Sequence, residues 1–198
     1  QEDLKVFNSI FSERKWNVEV DYPYTPEQLD LRLRLPINKL TGLKVLNIGT
    51  GDMSSALARQ LPYLKFKEIH NIDIHQPYLD EAAKLPWVSL ASFENKNACD
   101  IDNFNEYDLI LIFDVLEHLE KSEAIKIINK INKPLLIFSP LEKKFRTNAM
   151  AVESQNHLSF WTEQDFKDLG FKTEILVNFH LHDGVRFDAL WANKNLIE

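Results

Sequence analysis

Residues 107–113, YDLILIF, form an almost unbroken apolar run, and no other feature restricts the fold of this chain as much. The run has the length of a strand, and a strand apolar at nearly every position is buried on both faces. Both faces of a sheet are covered when helices lie on either side, the arrangement of a parallel sheet with crossover connections. PLLIFSP at 134–140 repeats the pattern. Between the two, DVLEHLEKSEAIKIINKI at 114–131 has helical spacing, so strand, helix and strand follow in turn.

The alternation extends in both directions. Upstream, the pattern predicts a strand at 43–48 and a helix at about 53–61, with Met53, Ala56, Leu57 and Leu61 on one face. A strand near 68–73 and a short helix at 77–84 follow, and a further strand is expected within SFENKNA, 92–98. Downstream, Thr162 caps a helix that Gly170 stops, and two strands joined by HDG read as a hairpin. Nearer the start, Thr25 as N-cap, Pro26 at the first helical position and Gln28 in a capping box predict a helix that Pro36 ends or kinks.

Composition narrows the function classes. Hydrophobic content of 44% and charged content of 27% over 198 residues suit one globular domain. No apolar run approaches the ~20 residues that span a bilayer, and QEDLKVFNSIFSERKW at the start does not read as a signal peptide. A net charge of −7 argues against nucleic acid as the main partner. Cys99 is the sole cysteine, which suits a reducing compartment, so a cytoplasmic location is expected.

KVLNIGTGDMSSALARQL, 44–61, runs from apolar strand into a glycine turn and then into the helical pattern. Only five glycines occur in the chain, and Gly49 and Gly51 are two of them. Glycine here serves a positive-φ turn, or leaves main chain bare enough for a ligand to lie against it. Asp73 ends the second strand, 22 residues after Gly51. An acid at the tip of that neighbouring strand is placed to accept the hydroxyls of a ribose; the plainer alternative is that it caps the next turn. Ser54 stands where a dinucleotide fingerprint has its third glycine. S-adenosylmethionine carries no phosphate, so for that ligand the requirement lapses.

Taken together, VLNIGTGD, NIDIH, NACDID, YDLILIFDVLEHL and NHLSFWTEQDFKDLGF resemble, in order and spacing, the motifs of class I S-adenosylmethionine-dependent methyltransferases of the small-molecule type. The resemblance covers roughly residues 40 to 195. It implies an α/β fold: a Rossmann-like three-layer sandwich, its mostly parallel seven-stranded sheet closed by an antiparallel C-terminal hairpin strand. Residues 41–198 would form that core in a single domain, with 1–40 as a helical extension. S-adenosyl-L-methionine is the implied cofactor and a small molecule, methylated at oxygen or nitrogen, the implied acceptor. By the same resemblance the main chain of Gly49 and Gly51 borders the methionine part, Asp73 accepts the ribose hydroxyls and Ile74 lies against the adenine. Asp100, or less aptly Asp102, accepts from the adenine amino group, while Phe113 and Asp114 line the floor near the sulfonium. Asn47 replaces the usual acid of the first motif, and Met53 its last glycine. These departures keep open a catalytically silent binding domain; a nicotinamide-dependent oxidoreductase is the remaining alternative.

Methyl transfer needs alignment, exclusion of water and sometimes removal of a proton. The candidate catalytic residues are Asp114, His118 and His157, with Glu117 on the same face of the expected helix start. Two carboxylates and a His on that face, joined by His157, also form a set that could take a divalent metal. The pattern is similar to the E-x-x-E-H of some metal-dependent O-methyltransferases, with Asp114 as a shorter first acid. Helix-cap and loop hydrogen bonds explain Glu117 and His118 equally, and no metal is assigned. Trp161 is expected mostly in the core, with a role in walling the acceptor pocket as the alternative. Lys143, Lys144 and Arg146 would suit an anionic acceptor if their segment covers the site.

Overall fold

The computed structural model describes residues 41–53, 55, 57–141, 156–182 and 185–195. The expected helix at Thr25 and the segment holding Lys143, Lys144 and Arg146 lie outside the described residues. Seven strands are present: β1 (Lys44–Ile48), β2 (Glu68–Asp73), β3 (Leu90–Asn95), β4 (Leu109–Phe113), β5 (Leu135–Pro140), β6 (Lys172–His182) and β7 (Val185–Lys194). They form one sheet in the order β3-β2-β1-β4-β5-β7-β6. The first five are parallel, and β7 runs antiparallel between β5 and β6.

The apolar run is accounted for directly. Successive side chains of a strand point to opposite faces. Along β4, Leu109, Leu111 and Phe113 enter one core with Val45, Leu57, Leu61 and Phe138. Ile110 and Ile112 enter the other, with Leu46, Ile127, Ile137 and Phe166. The five residues of β4 are all buried, as are the six of β5. Each such aliphatic side chain contributes about 1.5–3 kcal/mol relative to exposure.

Three α-helices are defined among the described residues: α1 (Gln76–Ala82), α2 (Lys121–Lys130) and α3 (Glu163–Asp168). The α3 start follows its sequence signal. Thr162 and Asp165 form a reciprocal capping box, and Gly170 turns the chain out at φ 84°.

Two expected helices differ. In place of a helix over 53–61, Met53 adopts φ 60° and a 3-10 turn spans Ala58–Tyr63. A left-handed residue cannot sit inside a right-handed helix, so Met53 is not part of one, and Ser54 and Ala56 lie outside the described residues. The anticipated face survives in burial, since Met53, Leu57 and Leu61 all reach the core. The single helix expected over 114–131 is split into a 3-10 turn, Leu116–His118, and α2. Asp114 at φ 53° prevents a continuous helix there. It therefore does not share a helical face with Glu117 and His118.

β1 lies between β2 and β4, so connections leave it in opposite directions. That switch in strand order opens a crevice beyond the carboxyl ends of β1 and β4, where ligands of such sheets sit.

Candidate active site

One flank of the crevice is the glycine loop after β1. The N–H groups of Gly49 and Thr50 both donate to the Ile72 carbonyl, at 2.9 and 3.0 Å, and Thr50 Oγ1 donates to it at 3.2 Å. Gly51 N–H donates to Asp73 Oδ2 at 2.8 Å, and His75 N–H to Asp73 Oδ1 at 2.8 Å. The Asp73 carboxylate thus faces the loop and also starts the turn into α1. Each of its oxygens has lone-pair capacity for a second donor.

The two loop glycines meet different surroundings. A Cβ on Gly49 would stand 2.2 Å from Val115 Cγ2, so its bareness is used by the protein itself. A Cβ on Gly51, at φ 61°, would meet no atom of the described residues within 4 Å. Val115 was not singled out from the sequence, where nothing marks a packing partner 66 positions away from Gly49.

Asn47 is buried under the loop. Its amide nitrogen donates to Asn71 Oδ1 at 3.0 Å and to Thr50 Oγ1 at 3.5 Å, and Asn71 in turn donates to the Ser92 carbonyl at 3.4 Å. This row of amides crosses β1, β2 and β3, and Asn71 also went unnoticed in the sequence. Met53 is buried in the core and so does not stand over the loop. Ile74 is 56% exposed just past Asp73. Asp100, itself exposed, ends a half-buried 3-10 turn after β3, and Asp102 is paired with Lys130 at 3.3 Å.

The other flank starts at the end of β4. Phe113 is buried, its ring set edge-on to Trp191 at 5.5 Å. Asp114 follows in the left-handed region, its N–H donating to the Phe138 carbonyl at 3.0 Å. The turn Leu116–His118 is then tied to residues 156–161. Leu158 and Ser159 N–H groups donate to the Glu117 carbonyl at 2.7 and 3.1 Å. Ser159 Oγ donates to the Leu116 carbonyl at 3.0 Å, and Trp161 Nε1 to Ser159 Oγ at 3.1 Å. These bonds bring His157 beside His118, ring centroids 4.8 Å apart and nearly perpendicular. Trp161 is buried against Phe166 and belongs to the core. Ser159, which docks the two segments, escaped notice within NHLSFWT because a serine beside a tryptophan carries no motif by itself.

Glu117, His118 and His157 each offer a ligand atom, and these atoms all lie within 4.8 Å of one another. Asp114, the fourth residue expected here, stands ahead of the turn at the strand end.

Residues 46–138, from β1 to β5, match the methyltransferase domain family. The match covers 93 of the 198 residues, just under half of the chain. The matched stretch includes the glycine loop and the Leu116–His118 turn but stops short of His157. No curated protein matches the sequence. Among solved structures, N-methyltransferase NodS from Bradyrhizobium japonicum, in complex with S-adenosyl-L-homocysteine, is 18% identical with a TM-score of 0.57, covering 90% of this chain and 89% of its own. Magnesium protoporphyrin IX methyltransferase from Synechocystis, also with bound S-adenosyl-L-homocysteine, is 16% identical with a TM-score of 0.55, covering 96% and 97%. The small RNA methyltransferase HEN1 is 15% identical with a TM-score of 0.57; 86% of this chain is covered, but the chain spans only 26% of HEN1. At these identities the likeness is one of fold. No helix among the described residues is long and apolar enough to cross a membrane.

Proposed function

We propose that this domain binds S-adenosylmethionine in the crevice and transfers its methyl group to oxygen or nitrogen of a small-molecule acceptor. The observation that carries the reading is the main chain of Gly51, clear of the other described residues, with the Asp73 carboxylate bonded beside it. A ribose places two adjacent hydroxyls on such a carboxylate, and the exposed Ile74 offers an apolar surface for adenine. In this reading Asn47 holds the loop from below, Gly49 and Gly51 border the methionine part, and Asp100 accepts from the adenine amino group. Phe113 and Asp114 form the floor at the end of β4.

The reaction is an in-line displacement. A lone pair on the acceptor attacks the methyl carbon; the new bond forms as the S–CH3 bond breaks, and its electron pair stays on sulfur, giving S-adenosylhomocysteine. The acceptor's proton is released at the His118–His157 end of the crevice. Alignment alone is worth up to ~7–11 kcal/mol in such a step. His118 Nδ1 lies 3.2 Å from the Asn156 carbonyl oxygen. A carbonyl only accepts, so this bond puts the ring proton on Nδ1 and leaves the lone pair on Nε2. The chain's net charge of −7 favours a small acceptor over a polyanion such as RNA.

Isothermal titration with S-adenosylhomocysteine, NAD and a short RNA tests the reading. Saturable binding of S-adenosylhomocysteine alone is expected. Heat from NAD and none from S-adenosylhomocysteine would replace it with nicotinamide chemistry, and tight RNA binding would overturn the small-molecule acceptor.

A further inference from the structure

We infer that Glu117, His118 and His157 form a site for one divalent first-row transition ion, of the zinc, iron or cobalt type, at the acceptor end of the crevice. Four observations carry this. The three ligand atoms lie within 4.8 Å of one another, in residues separated by 40 positions of sequence at the extremes. Glu117 is 4% and His157 9% exposed, so the group is enclosed and unlike an acidic surface patch. The bond from His118 Nδ1 to the Asn156 carbonyl aims the Nε2 lone pair inward, toward Glu117 Oε1 at 3.9 Å. A ligand imidazole is commonly fixed in this way, through a carbonyl on its other nitrogen. Finally, the bonds of Leu158, Ser159 and Trp161 hold the two segments in register, so the donors are positioned by the fold.

The distances suit one ion. Two donors ~2.1 Å from a shared metal are ~3.4 Å apart in tetrahedral geometry and at most ~4.2 Å apart when opposed. The 3.9 Å pair already lies inside that limit. For the tetrahedral arrangement that pair must close by about 0.5 Å and the widest separation by up to about 1.4 Å, the scale of side-chain rotations.

The donor set selects the metal. Two imidazoles and one carboxylate suit zinc and iron, whereas magnesium takes oxygen ligands and retains its waters. With Asp114 displaced by its left-handed backbone, three protein ligands remain among the described residues, the number found in catalytic rather than structural sites, which keep a fourth position open. An ion there supplies Lewis acidity, lowering the pKa of a bound hydroxyl. Resting on the methyl-transfer reading above, this narrows the acceptor to an alcohol or phenol whose oxygen takes the open position and whose proton leaves to water. The imidazoles then act as ligands, and no free histidine base is required.

The test uses the full chain stripped with a chelator and titrated separately with Zn2+, Co2+ and Mg2+. One equivalent of Zn2+ is expected to bind, with a rise in Tm, while Mg2+ at the same concentration gives neither. Co2+ is expected to develop the visible bands of a nitrogen- and oxygen-ligated four- or five-coordinate ion, a readout that needs no variant. Glu117→Gln and His157→Gln should each weaken Zn2+ binding at least tenfold and remove the cobalt bands. S-adenosylhomocysteine titration of the same samples checks that each variant is folded and tests the cofactor reading separately. Failure of Zn2+ to bind, or equal affinity in the wild type and a folded Glu117→Gln/His157→Gln double variant, overturns the metal site and leaves the methyl-transfer reading standing. Zn2+ binding without S-adenosylhomocysteine binding supports the metal site and refutes its coupling to methyl transfer.

Discussion

At the β1–β2 end of the crevice the contacts are made by main chain: two positive-φ glycines, four N–H groups given to Ile72 and Asp73, and one carboxylate. At the β4 end they are made by side chains, a glutamate and two imidazoles carried on a short turn and a distant segment. The first end is local in construction, since strand, loop and neighbouring strand all lie within 44–75. The second is assembled only when residues 156–161 dock on the Leu116–His118 turn through Ser159 and Trp161. A ligand-facing surface of main chain suits a constant partner such as a cofactor. One of side chains drawn from separate segments suits an acceptor that differs from protein to protein.

The largest expected effect comes where the two ends touch. Gly49→Ala drives a methyl group into Val115 at a backbone angle that disfavours any side chain, and should cost about 3 kcal/mol or more in a denaturant melt. Gly49→Ala with Val115→Ala should recover part of that loss. Gly51→Ala, which meets no described atom within 4 Å, should cost only about 1 kcal/mol of stability. Equal losses at the two glycines would erase the distinction between a packing glycine and a ligand-facing one.

Next in size, His118→Ala and His157→Ala should lower turnover about 100-fold, the scale of a lost proton-transfer or Lewis-acid contribution. Their affinity for S-adenosylhomocysteine should stay within about twofold of wild type. Parallel losses in turnover and in cofactor affinity would show that the two ends are one site.

The smallest effect uses a region remote from both. Tyr107, just before β4, bonds His70 Nδ1 at 2.7 Å, and His70 Nε2 meets Glu94 at 3.1 Å. Burial first, then the charges of Glu106 and Glu94, push its phenol up to about 12. A raised acid pKa means that the fold favours the neutral phenol. Its contribution is therefore full below about pH 10, the ordinary tyrosine value, and is lost as pH rises toward 12. Tyr107→Phe should flatten that alkaline loss in thermal melts and leave both ends of the crevice unaffected. A wild-type melt unchanged between pH 9 and 12 (a range set by the usual tyrosine titration, roughly) would contradict this.

The same contrast explains what could be read from the sequence. β4 and β5 were legible because burial on both faces writes itself as an unbroken apolar run, and α3 because Thr162 and Gly170 mark its ends chemically. The glycine loop and Asp73 were legible as neighbours in a local unit. Asp114 misled, since DVLEHLEKSEAI has helical spacing while the left-handed angle at Asp114 has no marker such as glycine. Val115 against Gly49, and Ser159 under Trp161, are contacts across the fold, and one sequence does not encode which distant side chains meet. Asn47 read as a weakened cofactor anchor; the structure shows its amide nitrogen joined to Asn71 and Thr50 inside the sheet.

The most direct test of the account is calorimetric titration of S-adenosylhomocysteine into wild type, Asp73→Ala and His157→Ala. We expect one saturable site in wild type, a loss of about 1.5–3 kcal/mol in Asp73→Ala, the typical worth of hydrogen bonds to a charged group, and near-native binding in His157→Ala. Undiminished binding in a folded Asp73→Ala protein, or no binding by wild type, would contradict the claim that the glycine loop and its carboxylate hold the methyl donor.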